Sequence, residues 1–364
     1  MKRVYDVAAY IWPAYTGDEP RTRIFWPEGI GEWETVRKTG RRYGNDTWPR
    51  RPLWGYVNEA DPYVMEMEIE AASDHGVNVF IYDWYWYDQR PFLEQCLNNG
   101  YLKARNNRKV NFYLMWANHN AMNLWDLRNS ADLSTMIWNG SVDMGEFKKI
   151  GQRLIEKYFA LPNYYRIDGK PVFMIYNHKN LVTGLGGEDQ TAEAFVWLNR
   201  ACEEAGLGGI HLQLTLGREL LEAPLRDTLP KLGYQSATHY QFTGITDINR
   251  DYEEILKSTG EVWQKIEAEF PLPYCPHISV GWDTNPRFQE FHGGVTKNAT
   301  PEAFEKGLRM AKDYMDRHPE SPLAVINSWN EWTESSYLQP DSRYGYAYLE
   351  AVKRVFCAQE EEGK

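Results

Sequence analysis

The sequence has few of the features that mark disulfide-rich, membrane-spanning or nucleic-acid-binding proteins. Its four cysteines stand singly, at Cys96, Cys202, Cys275 and Cys357. They form neither a CxxC pair nor a zinc-ligand spacing, so we expect reduced packing residues. No run approaches the roughly 18 apolar residues that a membrane helix needs. The net charge of −11 brings no clustered excess of Lys and Arg, which argues against a nucleic-acid partner.

Several common catalytic signatures are also missing. There is no GxGxxG after an early strand, no GxSxG and no HExxH, which argues against the usual dinucleotide, serine-hydrolase and zinc-hydrolase sites. Asp83, His119 and His239 form the one set that a metal could use. Because tight His pairs are absent, we expect neither a metal nor another cofactor.

The first residues, MKRVYDVAAYIWPAY, are typical of a first strand. Only a few apolar residues precede Trp12 and Pro13, too few for the apolar centre of a signal peptide. The sequence as written therefore favours the cytoplasm. If a leader had been removed, the expected location would be the periplasm or the exterior.

Short apolar runs alternate with amphipathic stretches, which is the pattern of repeated βα units. Strands are predicted at residues 5–12, 77–83, 110–118, 171–177, 210–216, 234–241, 277–283 and 323–329. Helices are predicted at residues 61–75, 146–159, 191–205, 252–270, 301–317 and 346–357. The pattern favours one domain, residues 1–364, folded as a (β/α)₈ TIM-type barrel. An open doubly wound sheet is the alternative, but the glycine cluster at 184–187 looks like a loop without a phosphate site.

Residues 16–60 separate the first predicted strand from the first predicted helix. A connection of this length, rich in Gly, Pro, Arg and Trp, rarely lacks a function in a compact domain. We expect it to be a loop insert over the barrel mouth, where long βα loops gather above the C-terminal ends of the strands.

Aromatic residues are frequent, with 15 Trp, 24 Tyr and 14 Phe, and many of the tryptophans follow predicted strands beside polar residues. A barrel gathers its strand ends on one face, so flat rings and polar anchors would converge there as in a sugar-binding pocket. The predicted substrate-binding residues are Trp12, Asp83, Trp84, Trp116, Asn118, His119, Asn177, His239, Tyr240, Trp282, Asp283, Trp329 and Tyr337.

Structural roles compete with binding roles at these positions. Asp83 either orients sugar hydroxyls or pairs with an arginine inside the barrel. His119 and His239 either bind substrate or are satisfied structural histidines. The tryptophans are either subsite platforms or part of the core.

The segment INSWNEWTESSYLQPD, residues 326–341, carries the candidate catalytic pair. A buried strand runs directly into two indoles, an amide, Glu331 and Glu334. Glycoside cleavage needs one carboxyl to protonate the leaving oxygen and a second group as nucleophile or base. On a helical turn, positions i and i+3 have Cβ atoms ~5–6 Å apart, which suits the ~5–5.5 Å carboxyl separation of retaining enzymes. In an extended strand the pair would face opposite ways.

The stretch SWNEWTESSYLQPDSRYGYAYLEAV, residues 328–352, resembles the C-terminal signature of the WbsX-like proteins. These are related to glycoside hydrolase family 99, the endo-α-mannosidases and endomannanases. AAYIWPAY, GEWETV, DPYVMEMEIEAASDHGVNVFIYDWYWYD and YLMWANHN are similar to that family's successive blocks, in the same order. The resemblance implies the same barrel, with Glu334 as general acid/base and Glu331 as its partner carboxylate. In family 99 that partner deprotonates the substrate's own 2-hydroxyl, giving a 1,2-anhydro sugar with overall retention.

Two positions depart from the family pattern and leave the glycan open. Ser335 replaces the glycine usual after the second glutamate, and His119-Asn120 stands where relatives often have Glu-Asn. The sequence predicts a retaining glycoside hydrolase, without a cofactor, that acts on an oligo- or polysaccharide.

Two other functions stay open as alternatives. The first is a glycosyltransferase of surface-polysaccharide biosynthesis, although the sequence shows neither a DxD-type motif nor a basic diphosphate pocket. The second is a non-catalytic carbohydrate-binding protein with the same aromatic cleft. The sequence makes no prediction about oligomeric state.

Overall fold

A barrel of eight parallel strands forms the centre of the computed structural model, which describes residues 5–39 and 50–357. The strands are β1 Asp6–Ile11, β2 Val79–Tyr87, β3 Asn111–Trp116, β4 Lys170–Ile175, β5 His211–Thr215, β6 Ser236–Thr238, β7 His277–Ser279 and β8 Leu323–Asn327. All eight predicted strands are confirmed, with differences of a few residues at their ends.

Neighbouring strands pair in parallel in the order β6-β5-β4-β3-β2-β1-β8-β7. The remaining seam, between β6 and β7, is joined at Ala237. Its amide donates to the carbonyl of Pro273 at 3.0 Å, and its carbonyl accepts from the amide of Cys275 at 2.8 Å. The sheet therefore closes into the predicted TIM-type barrel, and the C-terminal ends of all eight strands share one face.

Helices surround the barrel. They are α1 Trp33–Lys38, α2 Pro62–Asp74, α3 Met144–Leu154, α4 His178–Leu185, α5 Glu188–Glu204, α6 Leu225–Leu232, α7 Tyr252–Glu269, α8 Pro301–Arg317 and α9 Ala347–Phe356. The six predicted helices are confirmed, whereas α1, α4 and α6 were not predicted. No helix within residues 5–39 and 50–357 combines the length and apolar character needed to cross a bilayer.

Helix α8 shows how the sequence sets these elements. The Thr300 hydroxyl caps it by accepting from the amide of Ala303 at 3.3 Å, and Pro301 occupies the first turn. Phe304 and Leu308, four residues apart, are buried on one face. That face packs against β7 and β8.

Helix α4 corrects the interpretation of residues 184–187 as a loop. Gly184 and Leu185 form its last turn, and Gly186 ends it with a left-handed φ of 97°. The side chain of Asn177 begins it by accepting from the amide of Asn180 at 2.9 Å. The helix has only eight residues, too few for its apolar period to be clear in the sequence.

The described part of the predicted insert, residues 16–39 and 50–60, contains the turn Pro20–Ile24 and helix α1. Residues 40–49 lie outside the described residues. The Trp33 ring lies 5.8 Å from that of Trp332, and Glu59 accepts from Nδ2 of Asn330 at 3.0 Å. This segment therefore contacts the chain that follows β8.

Candidate functional site

Glu331 and Glu334 lie on a hairpin that directly follows β8. Its strands, Asn330–Glu331 and Ser336–Tyr337, are antiparallel, and the 3₁₀ turn Trp332–Glu334 connects them. We call residues 328–339 the β8 hairpin. Ser335 follows the turn with φ of 55°, a conformation that glycine adopts without steric cost. Glu331 immediately precedes the 3₁₀ turn and Glu334 is its last residue, so the pair spans one turn rather than an extended strand.

Arg287, in the loop after β7, holds both glutamates. Its Nη1 donates to Oε1 of Glu334 at 2.7 Å, and its Nη2 donates to Oε2 of Glu331 at 3.3 Å. Its Nε donates to the hydroxyl of Thr333 at 2.8 Å and lies 3.3 Å from Oε1 of Glu32. One buried guanidinium thus fixes three buried carboxylates and offsets part of their mutual repulsion.

Tyr240 links this cluster to Asp83 on β2. Its hydroxyl oxygen lies 3.0 Å from Oε1 of Glu331 and 3.1 Å from Oδ2 of Asp83. Two other carboxyl oxygens, Oδ1 of Asp83 and Oε2 of Glu334, are buried without a hydrogen-bond partner among the described residues. We call Asp83, Glu331 and Glu334 the mouth carboxyls. Their two unpartnered oxygens are the atoms available for new hydrogen bonds.

Burial raises the pKa of each mouth carboxyl. The pKa of Glu331 lies well above its usual range because of burial and the nearby Glu334 charge, against the lowering effect of Arg287. Burial also raises the pKa of Glu334, and Arg287 opposes this shift. The pKa of Asp83 lies well above its usual range because of burial, although the hydrogen bond from Tyr240 lowers it. Raised carboxyl pKa values favour proton donation near neutral pH.

His119 and Tyr176 lie beside the carboxyls after β3 and β4. Both are partly exposed, and their rings are 5.6 Å apart. Nδ1 of His119 donates to the carbonyl of Asn120 at 2.9 Å, which leaves Nε2 as the acceptor of a neutral ring. Burial lowers the pKa of His119, so the neutral ring is favoured.

Trp12 belongs to a packed aromatic wall. Its indole nitrogen donates to Oε2 of Glu32 at 2.6 Å, and its ring lies 5.2 Å from that of Trp125 and 6.4 Å from that of Trp26. The side chain is buried. Trp12 therefore positions Glu32, which in turn contacts Arg287.

Four further predicted residues lie in the mouth loops, and three of them tie these loops together. Asn118 exchanges two hydrogen bonds with the backbone of Asn177, at 2.7 and 2.8 Å. The amide of Asp283 donates to the carbonyl of Glu334 at 2.8 Å. Trp282 precedes Asp283 and is partly exposed. Of this group, Asn177 and Trp282 keep surface that a ligand can reach.

Three predicted tryptophans do not reach the mouth, and their interpretation as subsite platforms is corrected. The indole of Trp84 donates to Glu94 at 2.9 Å. The ring of Trp116 lies 6.2 Å from Phe147 of α3. The indole of Trp329 donates to Oε2 of Glu68 on α2 at 2.7 Å. All three rings lie between the barrel and its helices.

His239 and Tyr337 are also packing residues rather than sugar contacts. Nδ1 of His239 lies 2.8 Å from the hydroxyl of Tyr274, and burial lowers the pKa of the ring to about 3. Tyr337 stacks on Trp332 at 3.8 Å and donates to Asp341 at 2.7 Å. Both side chains are fully or almost fully buried.

Arg287, Glu32 and Tyr176 belong to the site but were not predicted from the sequence. Arg287 and Glu32 lie in loops far apart in the sequence, so no local spacing reveals their ion pair. Tyr176 immediately follows β4, so the strand-end criterion that selected its neighbour Asn177 was the signal that could have found it.

A cleft of about 770 Å³ opens beside the mouth carboxyls. Tyr176 and Tyr240 line it, as do Asn177, Lys179 and Arg218. Its volume falls within the roughly 300–1,000 Å³ of ligand pockets. Because Tyr240 contacts Glu331, the cleft begins one side chain away from the candidate catalytic pair.

A second pair of carboxyls, Glu59 and Glu68, lies fully buried behind the β8 hairpin. We call these two the rear carboxyls. Glu59 accepts from Asn330 at 3.0 Å and from Gln339 at 3.1 Å. Glu68 accepts from Trp329 at 2.7 Å and from Gln339 at 3.1 Å. Burial raises the pKa of Glu68 to about 7, and burial with the Glu68 charge raises that of Glu59 well above its usual range.

The described residues contain no group of three or more His, Cys, Asp or Glu side chains suited to a metal ion. The set considered from the sequence, Asp83, His119 and His239, is divided in the structure. His239 bonds to Tyr274, whereas Asp83 bonds to Tyr240.

The sequence matches the family model described as Glycosyltransferase WbsX over residues 7–352. The chain belongs to the WbsX family. It is 26% identical over 352 residues to the WxcX protein of Xanthomonas campestris pv. campestris, in each of two strains, with 92% of this chain and 47% of WxcX covered. The chain thus spans about half the length of the curated relatives it matches.

Solved structures share the barrel. The GH99 endo-alpha-mannosidase from Bacteroides thetaiotaomicron is 13% identical, with a TM-score of 0.61 and 95% of each chain covered. The structure of the same enzyme in complex with bis-tris propane is 15% identical to this chain, with a TM-score of 0.63 and 96% of each chain covered. A glycoside hydrolase-like protein is 17% identical, with a TM-score of 0.64, and the match covers 98% of this chain and 94% of that protein's chain. The predicted membership of the WbsX family is confirmed, and at these identities the solved structures show a shared fold alone.

Proposed function

We propose that this protein is a retaining glycoside hydrolase whose catalytic residues are Glu331 and Glu334. The observation that carries the proposal is the pairing of two buried glutamates on one turn at the C-terminal face of the barrel, both bound to Arg287. Barrel enzymes place their catalytic groups at this face. Glycoside cleavage requires two such groups acting together.

Glu334 is the proposed general acid. Arg287 occupies its Oε1, while Oε2 has no hydrogen-bond partner among the described residues. A proton on Oε2 would be free to pass to the glycosidic oxygen as the bond from that oxygen to the anomeric carbon breaks. The raised pKa of Glu334 favours this protonated form.

Glu331 is the proposed partner, oriented by Arg287 and Tyr240. In the route that the family 99 resemblance implies, Glu331 takes the proton of the sugar's 2-hydroxyl, and that oxygen bonds to the anomeric carbon while the leaving group departs. Water then opens the 1,2-anhydro ring, giving one proton to Glu334 while Glu331 returns its proton to O2. Two displacements at the anomeric carbon give overall retention.

The proposed substrate is an oligo- or polysaccharide. The cleft that begins at Tyr176 and Tyr240 supplies room for sugar units beyond the scissile bond. The printed name of the structural neighbour, an endo-alpha-mannosidase, supports a glycan but does not assign mannose here. The partly exposed Trp282 and Asn177 are proposed sugar contacts at the same mouth.

A glycosyltransferase is the second candidate, and the description of the family favours it. The electrostatics of the mouth oppose it. Arg287 is already engaged by Glu32, Glu331 and Glu334, so a sugar-nucleotide diphosphate would meet clustered carboxylates.

Glu350→Gln, an exposed change on α9, provides a matched control for either activity.

The test is a panel of bacterial, fungal and host glycans, and separately of sugar nucleotides with acceptors, with released or extended sugars separated by chromatography. Wild type and Glu350→Gln should release sugars from at least one glycan, while Glu334→Gln should not. Transfer from a nucleotide donor without release from any glycan would replace the hydrolase proposal. Binding without turnover by the wild type would instead indicate a carbohydrate-binding protein.

A further inference from the structure

The hydroxyl of Tyr240 faces two carboxyl oxygens and has one proton to donate. It lies 3.0 Å from Oε1 of Glu331 and 3.1 Å from Oδ2 of Asp83. The Glu331 and Asp83 side chains are each 3% exposed, so water cannot readily compensate for a poor contact. If both carboxyls were ionised, one of the two short contacts would join two acceptors.

The network is satisfied when one carboxyl carries a proton and donates it to the Tyr240 oxygen. Tyr240 then donates its own proton to the other carboxylate, and each short contact contains one hydrogen. Buried polar networks are stable when every member has a partner and costly when one does not. The geometry therefore requires one proton on either Asp83 or Glu331.

Charge decides which of the two holds it. Arg287 donates to Oε2 of Glu331 at 3.3 Å and favours its ionised form. Among the described residues, the charges and phenols that act on Asp83 are those of Tyr10, Tyr85, Tyr176, Tyr240, Glu331 and Glu334. None of these is a cation, so the proton belongs on Asp83.

We propose that Asp83 is a neutral carboxylic acid in the resting protein and donates through Tyr240 to Glu331. These two consecutive hydrogen bonds, from Asp83 to Tyr240 and from Tyr240 to Glu331, keep Glu331 ionised and oriented for its role as base. Asp83 is thus a positioning residue. The inference rests on the proposed function only for the role of Glu331; the protonation of Asp83 is testable without a substrate.

Infrared difference spectroscopy of the full chain, without glycan, tests the protonation. When the spectrum of Asp83→Asn is subtracted from that of wild type at neutral pH, the C=O band of one protonated carboxyl should remain, because the bands of Glu334 and the rear carboxyls are common to both proteins. It should persist in Glu331→Gln. Glu68→Gln is the control, because it removes a signal of the rear carboxyls and leaves that of Asp83. A band that disappears in Glu331→Gln but remains in Asp83→Asn would overturn the proposal, as would no difference in either variant.

Tyr240→Phe keeps the inference falsifiable if Asp83→Asn does not fold. Loss of the phenol oxygen removes the acceptor of the Asp83 proton, so the band should shift to the position of a carboxyl without a hydrogen bond. An unshifted band would contradict the hydrogen bond from Asp83 to Tyr240.

The pH profile of turnover adds a readout that a purely structural role would not change. Ionisation of Asp83 at alkaline pH turns the Tyr240 proton away from Glu331, so wild-type turnover should fall there. In Asp83→Asn, whose amide always donates, the alkaline limb should change to that of the general acid Glu334 alone. This variant should keep about tenfold more turnover than Asp83→Ala, since one buried hydrogen bond is retained. An unchanged alkaline limb in Asp83→Asn would count against the inference, even if hydrolysis itself is established.

Discussion

Two groups of buried carboxyls flank the β8 hairpin, and they are held in different ways. The mouth carboxyls contact a cation and a phenol, through Arg287 and Tyr240, and keep two oxygens without partners. The rear carboxyls, Glu59 and Glu68, accept from amide and indole groups of the hairpin itself, and Oε1 of Glu68 is also buried without a hydrogen-bond partner among the described residues. The difference between the two groups is therefore the cation and the phenol at the mouth, while the rear group holds the segment that carries the proposed catalytic pair.

Burial also affects the charge of the two groups differently. At the mouth, raised pKa values coexist with an arginine that keeps part of the cluster charged. At the rear, the described residues provide no ion pair for Glu59 or Glu68. The raised pKa values of these two carboxyls mean that they lose their charge by binding protons. Substitutions at the mouth should therefore affect turnover most, and those at the rear should affect stability and its pH dependence.

The largest effect is expected at the proposed catalytic pair. Glu334→Gln and Glu331→Gln should each lower turnover about 10²–10⁴-fold, the usual contribution of a general acid or base. Thermal unfolding should change less than in Arg287→Met, because glutamine preserves side-chain volume and Arg287 keeps its other two carboxylates. Steady-state kinetics with Glu350→Gln as control checks this, and near-normal turnover in either variant would remove the proposed pair.

Arg287→Met should produce the largest loss of stability. Glu32, Glu331 and Glu334 would lose their shared cation while staying buried, and breaking a buried ion pair costs roughly 3–5 kcal/mol in the free energy of unfolding. The loss should be smaller at pH 5 than at pH 7.5, since protonation of Glu331 and Glu334, whose pKa values are raised, relieves repulsion. Urea denaturation at both pH values measures it. Equal stability of variant and wild type would mean that the cluster is not held by Arg287.

Glu68→Gln should flatten the pH dependence of stability. The folded protein keeps the Glu68 proton up to a pKa of about 7, whereas the ordinary value is 4.5. The folded state therefore binds more protons between these values, so this contribution is complete below pH 4.5 and is lost as pH rises through 7. Wild type should lose roughly 1–3 kcal/mol over this range, and the variant less. Parallel stability profiles from urea titrations would contradict the assignment.

The smallest effects should separate two tryptophans. Trp282→Ala should raise KM about fivefold with less change in kcat, as expected for loss of one ring contact of ~1 kcal/mol. Trp116→Phe should leave KM unchanged and lower the thermal unfolding temperature, because Trp116 packs against α3. A raised KM with an unchanged unfolding temperature in Trp116→Phe would instead indicate that Trp116 contacts the substrate at the mouth.

The sequence predicted the parts of the site that lie on one continuous segment. The spacing of Glu331 and Glu334 and the apolar run before them required no long-range information, and the barrel followed from eight alternating runs. Arg287 and Glu32 were missed because their ion pair joins residues 255 positions apart. No periodicity records such a contact.

The misplaced tryptophans show a different failure. Successive residues of a strand face opposite sides, so Asp83 points to the mouth while its neighbour Trp84 points to the helices. Trp84 pairs in register with Trp116, and both rings share the outer face. A strand end thus predicts a location, but the register along the strand decides which of its side chains reaches the site.

The most direct test of the central claim is an NMR time course of the active glycan with wild type and Glu334→Gln. We expect the wild type to produce a new anomeric signal of retained configuration before mutarotation, and Glu334→Gln to produce none while still folded. An inverted first product, or equal cleavage by the variant, would contradict a retaining mechanism that uses Glu331 and Glu334.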